Sequence, residues 1–188
     1  LQKDYDLTHN YSSFEDKGIF LEGTSSMVFD RVNRIVYAGL SPRTNQSLLT
    51  EWCKEHSYEL VKVQTESHTG APIYHTDVFM FVGTDVIGIC YEVIKSEYRE
   101  LLKEKVSKYH TVMEISKEQI LDFCGNALEA KDKEGNLYLI MSSRAHDALN
   151  HDQLNILNTF YKKIIHSDLP TIEKYGGGSA RCMLSELF

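Results

Sequence analysis

A pattern of apolar and polar residues that recurs about every 50 residues constrains the fold of this chain more than any other feature. Each repeat predicts a strand, a tight turn, a second strand, a helix and a third strand, in that order. The turns begin at residues 30, 83 and 132, and the closing strands pass through Leu60, Val112 and Ile164. This period is typical of propellers, solenoids and other arrays. The alternative is an ordinary α/β sandwich whose elements happen to be evenly spaced.

The hydrophobic periods place the elements of each unit. Helices are predicted from about Asn45, around Tyr98–Tyr109 and around Leu154–Ile164, and the capping-box spacing of Ser116 and Gln119 predicts a further short helix. The sequence therefore predicts one α/β domain with units at about 18–65, 66–124 and 125–175, and a further strand within 176–188. The nine strands of the three units are predicted at Met27–Phe29, Arg34–Gly39, Tyr58–Val63, Val78–Val82, Val86–Tyr91, Thr111–Ile115, Ala127–Ala130, Leu137–Met141 and Ile164–Ser167.

Composition excludes several classes of protein. The chain has 188 residues, of which 42% are hydrophobic and 11% aromatic, and this content is too high for a disordered chain. No apolar run approaches the roughly 20 residues that a membrane-spanning helix needs. The formal net charge of -7 argues against a nucleic-acid surface, because an acidic chain repels phosphate.

The four cysteines are far apart and form no metal-binding motif. Cys53, Cys90, Cys124 and Cys182 include no CxxC pair, so a zinc site has little support. Nothing resembles a signal peptide, and we therefore expect free thiols in a reducing cytoplasm. The chain starts with Leu1 rather than Met, and a ring of such units needs more than three. Removal of a tag would explain the first observation as well as a fragment would, whereas the second leads us to expect a domain that is incomplete at its N-terminus.

Polar residues stand where each unit begins. They are Glu22, His75 with Asp77, and Asn126, and a fourth start follows the glycine run that leads to Cys182. If the units are arranged around an axis, equivalent positions converge near that axis. A thiol, a base and a carboxylate would then meet, and these are the components of covalent cysteine catalysis.

Each of these residues also has a structural interpretation. Cys182 precedes Met183 and Leu184, so it is also compatible with a small hydrophobic residue of the core. The three glycines before it favour the functional interpretation, because they allow close backbone approach to a ligand. His75 lies in a loop, where a histidine has a structural role about as often as a functional one. The spacing His-x-Asp favours a functional role, because it puts both side chains on the same face of a strand. Glu22 ends an apolar run, either as a solvated strand end or as a functional group.

Four ordered motifs resemble one family over nearly the whole chain. Phe20–Thr24, Gly39–Thr44, His75–Asp77 and Gly177–Met183 are similar to motifs of the guanidino-group-modifying superfamily. This superfamily includes arginine deiminases, dimethylarginine hydrolases, agmatine deiminases and amidinotransferases, and the likeness is greatest to the branch of bacterial citrulline-utilisation hydrolases. The resemblance implies a five-bladed α/β propeller of ββαβ units. About three blades have counterparts here, whereas the family's first two do not.

The resemblance also implies a role for each matching residue. Cys182 matches the nucleophile, His75 the general acid and base, and Glu22 the carboxylate beside them. The residues that would bind the substrate are Asp77 for the planar guanidino or ureido group, Arg43 for the α-carboxylate, and Gly178 and Ser179.

The implied activity is hydrolysis of the guanidino or ureido group of an arginine-like amino acid, citrulline or arginine, through a covalent intermediate on Cys182. It requires no metal and no organic cofactor, and agmatine is disfavoured because it lacks the carboxylate that Arg43 would bind. An amidinotransferase with the same first step remains an alternative, as does a truncated domain that binds a ligand or partner without turnover. An ordinary thiol hydrolase on another scaffold is a third. The expected partners are the small-molecule substrate and either the missing N-terminal segment or a second copy of the chain.

Overall fold

In the computed structural model, residues 9–185 are described, and they form three small sheets of three strands each. In every sheet the first two strands pair antiparallel and the second and third pair parallel. A helix connects the two parallel strands, as parallel pairing requires. The predicted ββαβ unit is therefore confirmed three times, and the single evenly spaced sandwich is excluded.

The three units have similar element lengths. The first contains α1 (Gly23–Ser26), β1 (Val28–Asp30), β2 (Ile35–Gly39), α2 (Gln46–Glu55) and β3 (Glu59–Val63). The second contains β4 (Met80–Val82), β5 (Val86–Ile89), α3 (Ser96–Ser107) and β6 (Thr111–Glu114). The third contains β7 (Leu128–Lys131), β8 (Leu137–Ser142), α4 (Ser143–Ala148), α5 (His151–Phe160) and β9 (Lys163–Ser167), followed by α6 (Pro170–Tyr175). Short 3-10 helices lie at Ser12–Lys17, Thr76–Val78, Gln119–Asp122 and Arg181–Met183.

Helix ends follow from local hydrogen bonds. The side chain of Asn45 accepts from the first-turn N–H groups of α2, and Asn150 forms a reciprocal capping box with Gln153 in α5. Ser116 and Gln119 form the predicted capping box, but the helix there is only one 3-10 turn, because Phe123 takes a left-handed conformation (φ 64°) and ends it. Within residues 9–185 no helix has the length and apolar character to cross a membrane.

One apolar cluster runs through all three units. The first strands of successive units are neighbours, since β4 contacts both β1 and β7. The units therefore pack side by side, and their inner strands share one core. A smaller cluster, which includes Val36 and Leu49, lies between the first sheet and α2. The largest side chains that are fully buried include Tyr37, Phe79, Phe81, Leu102, Met113 and Leu139.

Near the proposed site one predicted strand is too long at its start, and another is absent from the described residues. Thr76–Val78 is a 3-10 turn, closed by a hydrogen bond from the Phe79 N–H to the Thr76 carbonyl (3.1 Å), and the strand starts only at Met80. His75 and Asp77 therefore do not share a strand face. No strand forms over residues 176–185 either: Cys182 lies in the 3-10 turn Arg181–Met183, and residues 186–188 lie outside the described part. Helices α1, α4 and α6 have no clear apolar period, so the sequence pattern does not predict them.

Candidate active site

The first unit brings Glu22 and Arg43 together through the hydroxyl of Ser26. This hydroxyl accepts from the Glu22 N–H (3.2 Å) and donates to the Arg43 carbonyl (3.0 Å). The Glu22 N–H also donates to the Arg43 carbonyl (3.3 Å). Because Ser26 is fully buried at the end of α1, the two segments are held at a fixed separation.

Thr76 attaches the His75–Asp77 turn to the first unit. Its buried hydroxyl accepts from the Gly39 N–H (2.9 Å) at the end of β2 and donates to the Ser26 carbonyl (2.6 Å). With the turn held in this way, the His75 Nε2 lies at a distance of 2.6 Å from the Glu22 Oε2, and the Arg43 Nη1 lies 3.6 Å from the same oxygen. A histidine, a carboxylate and a guanidinium thus form one connected group.

Cys182 differs in exposure from the other cysteines. It is exposed, whereas Cys53, Cys90 and Cys124 are buried. The Cys182 thiol lies 3.7 Å from the Asp77 Oδ2, and the Asn126 Nδ2 donates to the sulfur at 3.2 Å. A methyl group on Gly178 would lie 3.0 Å from both the Cβ and the Sγ of Cys182. A glycine at this position therefore leaves room for the sulfur.

Loss of solvation and neighbouring charges change the pKa values of Asp77 and Cys182. Desolvation raises the pKa of the Asp77 carboxyl, although Arg181, whose Nε lies 3.9 Å from the Asp77 Oδ2, counteracts this. Desolvation and the negative charge of Asp77 raise the pKa of the Cys182 thiol. Hydrogen bonds from the Ser179 backbone and the Asn126 side chain lower it in part. The free thiol is therefore mostly protonated at neutral pH.

A cleft of about 390 Å³ opens beside the sulfur. Tyr74 forms one wall, since its hydroxyl donates to the Gly177 carbonyl (2.7 Å) and its ring lies 5.2 Å from the Arg43 guanidinium carbon. This volume lies in the range of small-molecule sites, about 300–1,000 Å³. The cleft is lined by Ser25, Arg43, Tyr74, His75, Gly176, Gly177, Gly178 and Cys182.

Most of the residues singled out in the sequence meet here. Arg43, His75, Gly178 and Cys182 line the cleft, whereas Glu22 lies behind His75 and Asp77 lies behind the sulfur. The Ser179 side chain is buried and donates to Glu173 (2.8 Å), so only its backbone is directed to the sulfur. Among the described residues, no group of three His, Cys, Asp or Glu side chains is arranged to hold a metal ion.

Three further residues belong to the site by geometry: Tyr74, Asn126 and Arg181. Asn126 had a signal in the sequence, because it occupies a unit start as Glu22 and His75 do. Tyr74 and Arg181 directly precede His75 and Cys182, but adjacency alone does not reveal that Tyr74 reaches the glycine loop or that Arg181 is buried beside Asp77.

Known structures share this fold at low sequence identity. ArgZ is an arginine dihydrolase from the ornithine-ammonia cycle in Cyanobacteria. Its N-terminal domain, in complex with substrate, matches with a TM-score of 0.68 and 16% identity, over 90% of this chain and 61% of that one. AgrE in complex with L-arginine matches with a TM-score of 0.69 and 16% identity, over 92% of this chain and 25% of that one. A dimethylarginine dimethylaminohydrolase adduct with 4-chloro-2-hydroxymethylpyridine matches with a TM-score of 0.54 and 16% identity, over 85% of this chain and 54% of that one.

These neighbours confirm the α/β propeller-like fold. This chain spans 61% of the length of the ArgZ domain. No curated protein matches the chain significantly in sequence. A family model does match: the model of "N,N dimethylarginine dimethylhydrolase, eukaryotic" covers residues 1–188, which also confirms the resemblance to the guanidino-group-modifying superfamily. The chain belongs to the N,N-dimethylarginine dimethylhydrolase family.

Proposed function

We propose that this protein is a cysteine-dependent hydrolase that acts on the guanidino group of an arginine-like amino acid. The observation that carries the proposal is the convergence of an exposed cysteine, a histidine paired with a carboxylate, and an arginine at one cleft. The family to which the chain belongs supports the reaction class. Cys182 is the nucleophile in this proposal, and His75 is the general acid and base.

The reaction proceeds in two stages. The Cys182 thiolate attacks the central carbon of the guanidinium, a C–S bond forms, and His75 gives a proton to the amine that leaves as the C–N bond breaks. Water then gives a proton to His75 and attacks the same carbon, the C–S bond breaks, and the thiolate is regenerated. A ureido product and an amine are released, with no change in oxidation state.

The two carboxylates have different tasks in this mechanism. Glu22 accepts from the His75 Nε2 (2.6 Å), so it orients the ring and stabilises the imidazolium. Asp77 lies 3.7 Å from the sulfur, and a guanidinium whose carbon contacts the sulfur brings its N–H groups toward this carboxylate. The positive charge of the substrate would also offset Asp77 and favour the thiolate.

Arginine and N,N-dimethylarginine are the first substrates to test. Arg43 is half-exposed at the cleft, where its guanidinium suits the α-carboxylate of an amino acid. ArgZ is an arginine dihydrolase, and AgrE has been crystallised with L-arginine. Citrulline, which carries a ureido group instead, belongs in the same panel.

The test is release of ammonia or dimethylamine from each compound by the purified protein. We expect release from arginine or N,N-dimethylarginine, and none from Cys182→Ser, while Cys53→Ala keeps the activity because Cys53 is buried in α2. Equal release by Cys182→Ser would refute the assignment. Binding of arginine by the wild-type protein with no release would instead favour a non-catalytic binding domain.

A further inference from the structure

Asn126 lies at the start of the third unit, where two segments approach closely. The preceding Gly125 packs on the His75–Val78 turn so tightly that an added Cβ would lie 2.4 Å from the Val78 carbonyl oxygen. The contact leaves the Asn126 side chain 2% exposed, between the backbone of Asp77 and the turn that carries Cys182. Its burial makes any unsatisfied amide hydrogen-bonding group costly.

The hydrogen bonds of Asn126 fix the orientation of its amide. The backbone N–H of Arg181 can only donate, and it donates to the Oδ1 at 3.0 Å. The Nδ2 must therefore point the other way, where it donates to the Cys182 sulfur (3.2 Å) and to the Asp77 carbonyl (3.4 Å). Turning the amide over would set a donor against a donor, so the N–H group facing the sulfur is determined by chemistry.

We propose that Asn126 is a catalytic residue, whose side-chain N–H stabilises the Cys182 thiolate that attacks the substrate. The role rests on the proposed function. An N–H donor binds an anionic sulfur more strongly than a neutral thiol, because the hydrogen bond becomes charge-assisted. It thus opposes Asp77, whose carboxylate lies 3.7 Å from the sulfur and disfavours the thiolate.

A neutral donor suits a cationic substrate. A lysine or arginine beside the sulfur would also stabilise the thiolate, but it would repel the guanidinium that must approach the same atom. The Asn126 amide gives a hydrogen bond without a net charge, and through the Arg181 N–H it also holds the backbone next to the nucleophile. The titratable and charged groups around this sulfur are Asp77, His75, Tyr74, Arg43 and Arg181, and all are unchanged in the variants below.

The test is the pH profile of Cys182 alkylation by iodoacetamide, with peptide mapping to exclude the other cysteines. Asn126→Asp keeps the acceptor for the Arg181 N–H but replaces the donor with an anionic oxygen. We expect at least about ten-fold slower alkylation at pH 7.5, because each unit by which the thiol pKa rises lowers the thiolate fraction about ten-fold. The limiting rate at high pH should be unchanged. Asn126→Ala should shift the profile in the same direction by less.

Asn155→Asp is the matched control, since it adds the same charge on an exposed face of α5 in the same unit. It should leave the profile as in the wild type. A lower limiting rate or a lower melting temperature in Asn126→Asp, with no shift of the profile, would show a merely structural role and overturn the inference.

Alkylation needs no substrate, so the result of this experiment is independent of whether the protein turns over a guanidino compound. If Cys182→Ser abolishes turnover while Asn126→Asp keeps the wild-type profile, the proposed function survives and the inference fails.

Discussion

The two sides of the cleft use similar side chains in opposite environments. On the outer side, Glu22 pairs with His75 and Arg43, and the side chains of Glu22 and Arg43 are 40% and 54% exposed. On the inner side, Asp77 lies beside Arg181, and their side chains are 0% and 8% exposed. A carboxylate and an arginine are therefore half-solvated on one side and withdrawn from water on the other.

The difference separates what each side can do chemically. The exposed pair is screened by water and contributes little stability, so its residues are free to orient His75 and to meet a substrate carboxylate. The buried carboxylate has a raised pKa from desolvation, and its negative charge raises the pKa of the nearby Cys182 thiol. We therefore expect changes on the outer side to affect turnover, and changes on the inner side to affect the reactivity of the thiol as well.

The largest effect should come from removing the Cys182 sulfur, which lies between the two sides. Cys182→Ser removes the thiol, and we expect turnover to fall by at least about a thousand-fold, since the loss of a covalent nucleophile has effects of this size or larger. Steady-state release of ammonia or dimethylamine measures it. A fall of less than ten-fold would mean that another group carries the chemistry.

Replacing the proposed base on the outer side should have the next largest effect. His75→Asn removes the proposed general acid and base, and a positioned acid or base contributes about 10²–10⁴-fold. The kcat should fall by this factor, while iodoacetamide still reaches Cys182. Loss of alkylation together with turnover would point to a collapsed cleft rather than to a missing base.

Removing only the carboxylate behind the base should have a smaller effect. Glu22→Gln keeps the shape but loses the charge that faces the His75 Nε2, and we expect kcat to fall about 10–100-fold, as for other residues that act through a neighbouring group. Steady-state release of ammonia or dimethylamine measures it. An unchanged kcat would restrict Glu22 to holding Arg43.

The inner carboxylate should give the effect that distinguishes the two sides. Asp77→Asn removes the negative charge near the sulfur, and this charge raises the pKa of the Cys182 thiol. The thiol pKa should therefore fall, and alkylation at pH 7 should become several-fold faster, although turnover decreases because the guanidinium loses its partner. Measuring both rates on the same sample tests whether alkylation becomes faster while turnover becomes slower. Slower alkylation would contradict this assignment of charge.

The sequence predicts the architecture well because hydrophobic period and turn residues are local signals. All nine strands are close to their predicted positions, and β2 and β5 are continuous apolar runs that are buried along their whole length. The predicted strand Val78–Val82 begins too early, because a 3-10 turn occupies Thr76–Val78. The hydroxyl of Thr76 holds this turn through hydrogen bonds with Gly39 and Ser26, which are distant in sequence. No local pattern contains this information.

The candidate site was predictable only in part for the same reason. The motifs with Glu22, His75 and Cys182 indicated the chemical groups, and the unit period indicated that they meet. The hydrogen bond from Asn126 to the sulfur and the direction of the Ser179 hydroxyl were not predictable. Asn126 reaches the sulfur because Gly125 lets two backbones touch, and the Ser179 hydroxyl is directed to Glu173 instead of the cleft. These are packing outcomes, set by contacts between units.

Reaction with 2-chloroacetamidine, a thiol reagent shaped like a guanidino group, tests the central claim most directly. Peptide mapping after brief treatment compares Cys182 with the three buried cysteines, with and without L-arginine. If Cys182 is the nucleophile of a guanidino-binding cleft, it carries a single fast adduct that arginine suppresses. Slow labelling spread over the four cysteines, with no protection by arginine, would contradict the account.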